Sequence, residues 1–311
     1  MNRINKIEKY IINRFCMNNL DLNELNDEID LELEEGFNVL KNDLNDIKLV
    51  SFFFILNYNK GSIEMGCLNS IYNNKKHCYF ISKLFYHINL IYLINNNYDK
   101  DTNLTLSLSE QGEILLMNFA CNNFQLGNIS YNKIIENIQS GKMANSLPMY
   151  TRPQKLGVLA IEMLASEKKE TIDWESAGIP IDPFYQRFCQ EALYCENEEI
   201  LIPWLMELCD KHIQWSSLFG DNSNEKRSTG YEIDSIILLP WPFEYQAVKN
   251  FRARHGLSTP MIDHPLLKTP MAIDHRPDMV GWLENMPDIY HQITNDLINI
   301  NPDLKIICNL F

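Results

Sequence analysis

Two Asp-His pairs, eleven residues apart, are the part of the sequence that most resembles a catalytic or metal site: Asp263-His264 and Asp274-His275. An Asp beside a His can orient the imidazole for base catalysis, and both residue types ligate metals. Two nearby histidines offer a third ligand: His255 and His291. The pairs would suit a metal-dependent hydrolase. The alternative, which we favour, is that each Asp caps a turn at a proline-rich step.

A second spacing of metal-ligand type is formed by Cys209 and His212. Residues three apart share one face of a helix, but a structural zinc ion needs four ligands at a recognisable spacing. The other cysteines are scattered through 311 residues, which is typical of free thiols in a reducing cytosol. We therefore expect no metal and no cofactor.

Several motifs that carry catalysis are absent from the sequence. It contains no GxxxxGK[ST] phosphate loop, no GxGxxG, no GxSxG elbow, no HExxH and no paired CxxC. We assign no catalytic residue, and we expect a protein that is not an enzyme.

The overall charge indicates what kind of partner the protein would attract. The formal net charge is −14 and the sequence pI is about 4.9, with no cluster of Lys and Arg. A general nucleic-acid binder needs a basic face that displaces counterions, so we expect no direct nucleic-acid binding. An acidic surface instead favours association with a basic protein surface.

Acidic side chains are concentrated in two short segments. The segment 21–36 holds eight acids and no base, and Glu196 to Glu199 form a smaller cluster. These carboxylates form a solvated helix face or a patch that meets a basic partner. The residues proposed for partner binding are Asp27, Glu28, Glu34, Glu35, Glu196, Glu198 and Glu199.

The hydrophobic pattern predicts an all-α fold built from many helices. Apolar residues recur every three or four positions through most of the chain, as on the core-facing side of amphipathic helices. The most apolar window, 78–95, carries Lys83 and His87, so it predicts a buried helix and not a membrane span. The first residues lack the unbroken apolar stretch of a signal peptide. We expect a cytoplasmic protein.

One segment departs from the helical pattern, and one other suggests a joint. Leu104, Leu106 and Leu108 alternate with polar residues, which predicts a strand and a short β-hairpin over 103–119. The stretch 143–153 contains two prolines and resembles a linker. We expect an N-terminal helical half, 1–145, and a C-terminal helical half, 150–311, unless the two form one continuous domain.

The C-terminal half resembles the immunity protein 49 family of bacterial polymorphic toxin systems, mainly over residues 150–275. Two stretches carry the resemblance. The first is LGVLAIEML followed by DPFYQRFCQEALYCENEEILIPWLMELCDKH, and the second is WPFEYQAVKNFRARHGLSTPMIDHPLLKTPMA. The resemblance implies an all-helical, cytoplasmic and non-enzymatic protein that binds a toxin delivered by a neighbouring cell. It implies no particular binding residues.

Three hypotheses for function follow from the sequence. The first is an immunity protein that binds and neutralises a cognate toxin, for example a nuclease, with a basic surface. The second is a metal-dependent hydrolase that uses the Asp-His pairs at 263–264 and 274–275. The third is a helical scaffold or regulatory protein with several partners.

Overall fold

The computed structural model describes residues 3–16, 20–42, 49–73, 79–97, 106–145, 152–218, 230–272 and 276–311. Within these ranges the chain forms helices and no β-strand; its β-structure is limited to two isolated bridges. The α-helices are α1 (Arg3–Phe15), α2 (Leu22–Asn42), α3 (Leu49–Tyr72), α4 (Tyr79–Asn96), α5 (Leu108–Ala120), α6 (Gln125–Gln139), α7 (Lys142–Asn145), α8 (Leu156–Lys168), α9 (Pro183–Arg187), α10 (Glu198–Trp215), α11 (Phe243–Arg254), α12 (Met279–Glu284) and α13 (Asp288–Ile300).

Shorter helical segments complete the chain. A π-helical turn, Phe188–Ala192, continues directly from α9, and three 3₁₀ segments follow later in the sequence. The 3₁₀ segments are Pro265–Lys268, Pro270–Ala272 and Pro302–Asn309. The all-α prediction is therefore confirmed.

The predicted hairpin over 103–119 is wrong where the structure describes it. Residues 108–120 form α5, while 103–105 lie outside the described residues. The Ser107 side chain accepts a hydrogen bond from the Glu110 backbone N–H, and the Glu110 side chain accepts one from the Ser107 N–H. This reciprocal cap satisfies two backbone donors at the helix start. The cap stabilises a helix here, although the local alternation of leucines favours a strand.

By their contacts, the helices fall into two compact units. Unit 1 comprises Met1–Glu8 and Asn103–Asp274, and unit 2 comprises Lys9–Thr102 and His275–Phe311. The linker expected at 143–153 lies within the sequence range of unit 1. Each unit thus combines segments that are distant in sequence, which a reading of linkers along the chain does not anticipate.

The core of unit 1 is built around α5, which packs against α8 and α11. Every residue of α5 except Glu110 is buried. At the crossing with α8, a Cβ on Gly112 would lie 2.2 Å from the backbone nitrogen of Gly157. The two glycines therefore allow the helix backbones to approach more closely than side chains would permit.

The core of unit 2 is built around α4, which packs against α3 and α12. Fifteen of its eighteen residues are buried, which explains why its sequence is apolar on every side. Both ring nitrogens of its buried His87 have partners: Nδ1 lies 2.9 Å from the Tyr290 hydroxyl and Nε2 lies 2.6 Å from the Leu56 carbonyl oxygen. In the part of the chain described, no helix is both long and apolar enough to cross a bilayer.

Candidate interaction surfaces

The outer face of α2 is acidic and exposed. Leu22, Leu25, Ile29, Leu33 and Phe37 are buried on its inner face. The exposed acids of the helix are Glu24, Asp27, Glu28, Glu32, Glu34 and Glu35. No Lys or Arg stands between 22 and 39 to compensate these charges within the helix. The four residues predicted here for partner binding are thus all accessible.

Large apolar side chains are exposed beside these acids. Leu31 and Val39 on α2 are 54% and 70% exposed, and Phe54 and Tyr58 on α3 are 64% and 77% exposed. Scattered exposed apolar residues are ordinary, but a group on two packed helices is typical of interaction sites. The acids were found from the sequence, whereas the aromatic pair was missed.

The contact between the two helices shows which of these side chains share a flank. Gly36 of α2 faces Ile55 of α3, because a Cβ on Gly36 would lie 3.4 Å from the Ile55 side chain. Helical periodicity places one set of exposed residues on the flank next to that contact. We call this set the α2–α3 surface: Glu28, Glu32, Glu35, Val39, Phe54 and Tyr58.

The same periodicity separates the four predicted acids into two rows. Glu28 and Glu35, seven residues apart, lie on the flank of α2 next to α3. Asp27 and Glu34, also seven apart, lie on the far flank. The structure therefore associates only Glu28 and Glu35 with the exposed aromatic residues.

One acid of α2 is used internally. The Asp30 carboxylate accepts a hydrogen bond of 2.7 Å from the fully buried Lys83 ammonium, which also donates to the Asn26 side chain. Burial lowers the pKa of Lys83, and the Asp30 charge opposes that shift. This pair ties α2 to α4 and leaves the other acids of α2 free to face solvent.

The second predicted cluster lies at the beginning of α10. Asn197 caps the helix by accepting the Glu199 backbone N–H, and Glu196, Glu198 and Glu199 are exposed. Acidic side chains in the first turn interact favourably with the helix dipole and so stabilise the helix. These residues therefore have a structural role as well. Three exposed apolar residues lie in the same segment: Tyr194 (40%), Ile200 (52%) and Ile202 (37%).

Arg252 fixes the loop that leads into this cluster. Its guanidinium is buried and donates to the carbonyl oxygens of Leu193, Cys195 and Ser258 at 2.7, 2.9 and 2.6 Å. These bonds hold the end of the π-helical turn against α11. The backbone immediately before the acidic cluster is therefore held in a fixed position.

The Asp263-His264 pair does not form a catalytic dyad. Asp263 is exposed and pairs with Lys268 at 2.6 Å, which lowers the pKa of its carboxyl. His264 is buried, with Nδ1 accepting the Leu266 N–H and Nε2 3.2 Å from Asp210. His264 thus caps the 3₁₀ segment that follows it. The second pair, Asp274-His275, lies outside the described residues.

Cys209 and His212 share a buried face of α10, but they do not face a metal site. The His212 Nδ1 lies 2.6 Å from the Glu244 carboxylate, and Nε2 lies 3.1 Å from the Leu239 carbonyl oxygen. Burial raises the pKa of the Cys209 thiol. Among the described residues, no group of three or more His, Cys, Asp or Glu is arranged to hold a metal ion.

The described residues of unit 1 form depressions, of which two are considered for ligand binding. One, of about 550 Å³, is lined by residues between Ile172 and Gln186. The other, of about 320 Å³, lies between α11 and the proline-rich segment that carries the fully exposed Met261. Both fall within the size range of small-ligand or side-chain pockets.

Comparison of the chain with models of protein families, with curated proteins and with solved structures gave no match. Any assignment of function therefore depends on the surfaces and contacts described above.

Proposed function

We propose that this protein is an immunity protein, which binds a cognate toxin with a basic surface and neutralises it. The observation that carries the proposal is the α2–α3 surface, where exposed aromatic and aliphatic side chains adjoin uncompensated carboxylates. Apolar anchors surrounded by charge are the usual composition of a protein-binding surface. The net charge of −14 favours a basic partner.

Charge and apolar contact would act on different steps of binding. The carboxylates would attract a basic partner over a distance, which raises the association rate and makes it sensitive to salt. The aromatic side chains would become buried on contact and slow dissociation. Phe54 is 64% exposed, and burying that part of a ring of about 200 Å² is worth about 3 kcal/mol, or ~200-fold in Kd.

The first test uses the protein encoded by the gene adjacent to the one for this chain. Co-expression should rescue growth if that product is toxic, and the two purified proteins should form a one-to-one complex. A product that is not toxic, or that fails to associate, would remove the proposed function. Capture of many unrelated proteins in place of one partner would instead favour a scaffold or regulatory protein.

Two charge-reversal variants on α2 test the surface within that complex. Glu28→Lys/Glu35→Lys and Asp27→Lys/Glu34→Lys change the net charge equally and differ only in flank. Both should slow association at low salt, because both reduce the same long-range attraction. Only the first should also raise the dissociation rate. Equal effects on dissociation would exclude the α2–α3 surface as the contact.

A valine pair provides a second control. Val39 lies on the α2–α3 surface and Val280 lies on α12, which packs on α4, yet both are 70% exposed. Val39→Arg should weaken the complex at least tenfold because a cation would face a basic partner. Val280→Arg should leave the dissociation rate unchanged. Equal effects of the two substitutions would point to a general charge effect and against this surface.

A further inference from the structure

The larger depression on unit 1 has a floor and a rim of different chemistry. Its floor is apolar and includes Ile172, Trp174 and Ile179. Its rim carries the carboxylates of Asp173 and Glu175, both on exposed residues. None of the described residues that line it is a Lys or Arg. An occupant would therefore meet negative charge above an apolar surface.

The depression is formed before any ligand arrives. Backbone hydrogen bonds from Ala177 to Asp173, from Gly178 to Glu175 and from Ile179 to Trp174 close the turn that forms its wall. Gly178 has a φ of +69°, a conformation that glycine adopts without strain. Ser176 donates through its N–H and its hydroxyl to Asp173, which lowers the pKa of that carboxyl.

A third carboxylate lies behind the wall. Glu162 of α8 is buried, and its Oε1 accepts hydrogen bonds from Trp174 Nε1 at 2.7 Å and from Gln186 Nε2 at 3.1 Å. Both donors belong to residues that line the depression. The side chains of Trp174 and Gln186 are thus held in place from beneath, so the site keeps its shape when a ligand enters.

We propose that this depression binds a cationic side chain, an arginine or a lysine of a partner, with its stem on the apolar floor and its charged end at the Asp173 and Glu175 carboxylates. Long basic side chains combine an apolar stem with a charged tip, which matches the two zones of the site. The site belongs to unit 1 and does not involve the α2–α3 surface. Its failure would leave the proposed function standing.

The proposal is tested with two small probes that differ in one charge. N-acetylarginine amide carries a guanidinium, and N-acetylcitrulline amide has nearly the same shape without the charge. Each is titrated into the full chain, and the five tryptophan indole N–H resonances are followed by nitrogen-15 NMR after assignment by single Trp→Phe variants. The arginine probe should shift the Trp174 resonance saturably, in the millimolar range, and the citrulline probe at least tenfold more weakly.

Substitutions at the rim locate the charge that is recognised. Glu175→Gln should weaken the arginine probe about fivefold, the effect of one charge about 4 Å away in water. Glu175→Lys should abolish binding, whereas Glu284→Gln, which removes an exposed acid on α12, should change nothing. Equal shifts by the two probes, no saturable shift of Trp174, or unaltered binding by Glu175→Gln would each overturn the proposal.

Discussion

Replacing His87 with Gln should alter how the stability of the protein depends on pH. The His87 Nε2–H donates to the Leu56 carbonyl oxygen, since a carbonyl only accepts, and Nδ1 then accepts from the Tyr290 hydroxyl. The pKa of His87 is lowered to about 4, chiefly by burial and also by the nearby Lys83 and Lys60 charges, against the Leu56 hydrogen bond. The ring is therefore neutral in the folded protein near pH 7.

The size of the effect follows from the two pKa values. An unfolded histidine titrates near pH 6.5, whereas His87 titrates near 4 in the folded protein. Between these values the unfolded chain binds a proton that the folded chain does not. Stability is therefore complete above about pH 6.5 and falls as the pH is lowered toward 4. The loss amounts to about 3 kcal/mol at ~1.4 kcal/mol per pKa unit.

Urea unfolding of the wild type and of His87→Gln, at several pH values between about 7 and 4, measures this loss. A glutamine at this position can still donate to the Leu56 carbonyl oxygen but does not bind a proton in this range. The variant should be less stable at neutral pH, and the difference should shrink by about 3 kcal/mol by pH 4. Other groups titrate equally in both proteins. Parallel pH profiles would refute a neutral, buried His87.

Further substitutions test buried contacts of unit 1 by urea unfolding, with Gly61 of α3 in unit 2 as a control position. Gly112→Ala should destabilise the protein by about 3 kcal/mol, because the new Cβ meets the backbone of Gly157. Gly61→Ala is the control: nothing lies within 4 Å of a Cβ at that position, so this substitution should be neutral or slightly stabilising. Glu244→Ala should cost about 3–5 kcal/mol because it leaves His212 buried without its partner. Glu244→Gln, whose amide N–H can donate to Nδ1 of a neutral imidazole, should cost clearly less than Glu244→Ala. Equal losses for the two variants would show that the contact at Nδ1 does not stabilise the protein.

The candidate interaction surfaces can be predicted only in part from the sequence. The acids of α2 and α10 were found because carboxylates without nearby bases are almost always exposed. The sequence does not predict that the acids of one flank of α2 lie beside the exposed aromatic residues of α3, because this depends on which flank of α2 packs against α3. The pairs of buried polar groups were missed for a similar reason: Asp30 and Lys83 are 53 positions apart in the sequence.

His264 illustrates how a local motif misleads. Adjacent residues in an extended segment point in opposite directions, so Asp263 reaches solvent and Lys268 while His264 turns inward to Asp210. The hairpin predicted over 103–119 is wrong from residue 108 onward for a different reason. The Ser107-x-x-Glu110 capping box begins a helix there, and the alternation of leucines does not reveal it.

The sequence by itself determined that the chain is helical, because apolar residues recur with the period of the helix and their burial drives folding. It also contains the local signals for the beginning of α10, an Asn197 cap and an acidic first turn. Tertiary structure alone decided the rest. Phe52, Phe53 and Phe54 are identical in type, yet they are 2%, 6% and 64% exposed, because only the packing of neighbouring helices determines which side of a run of apolar residues is covered.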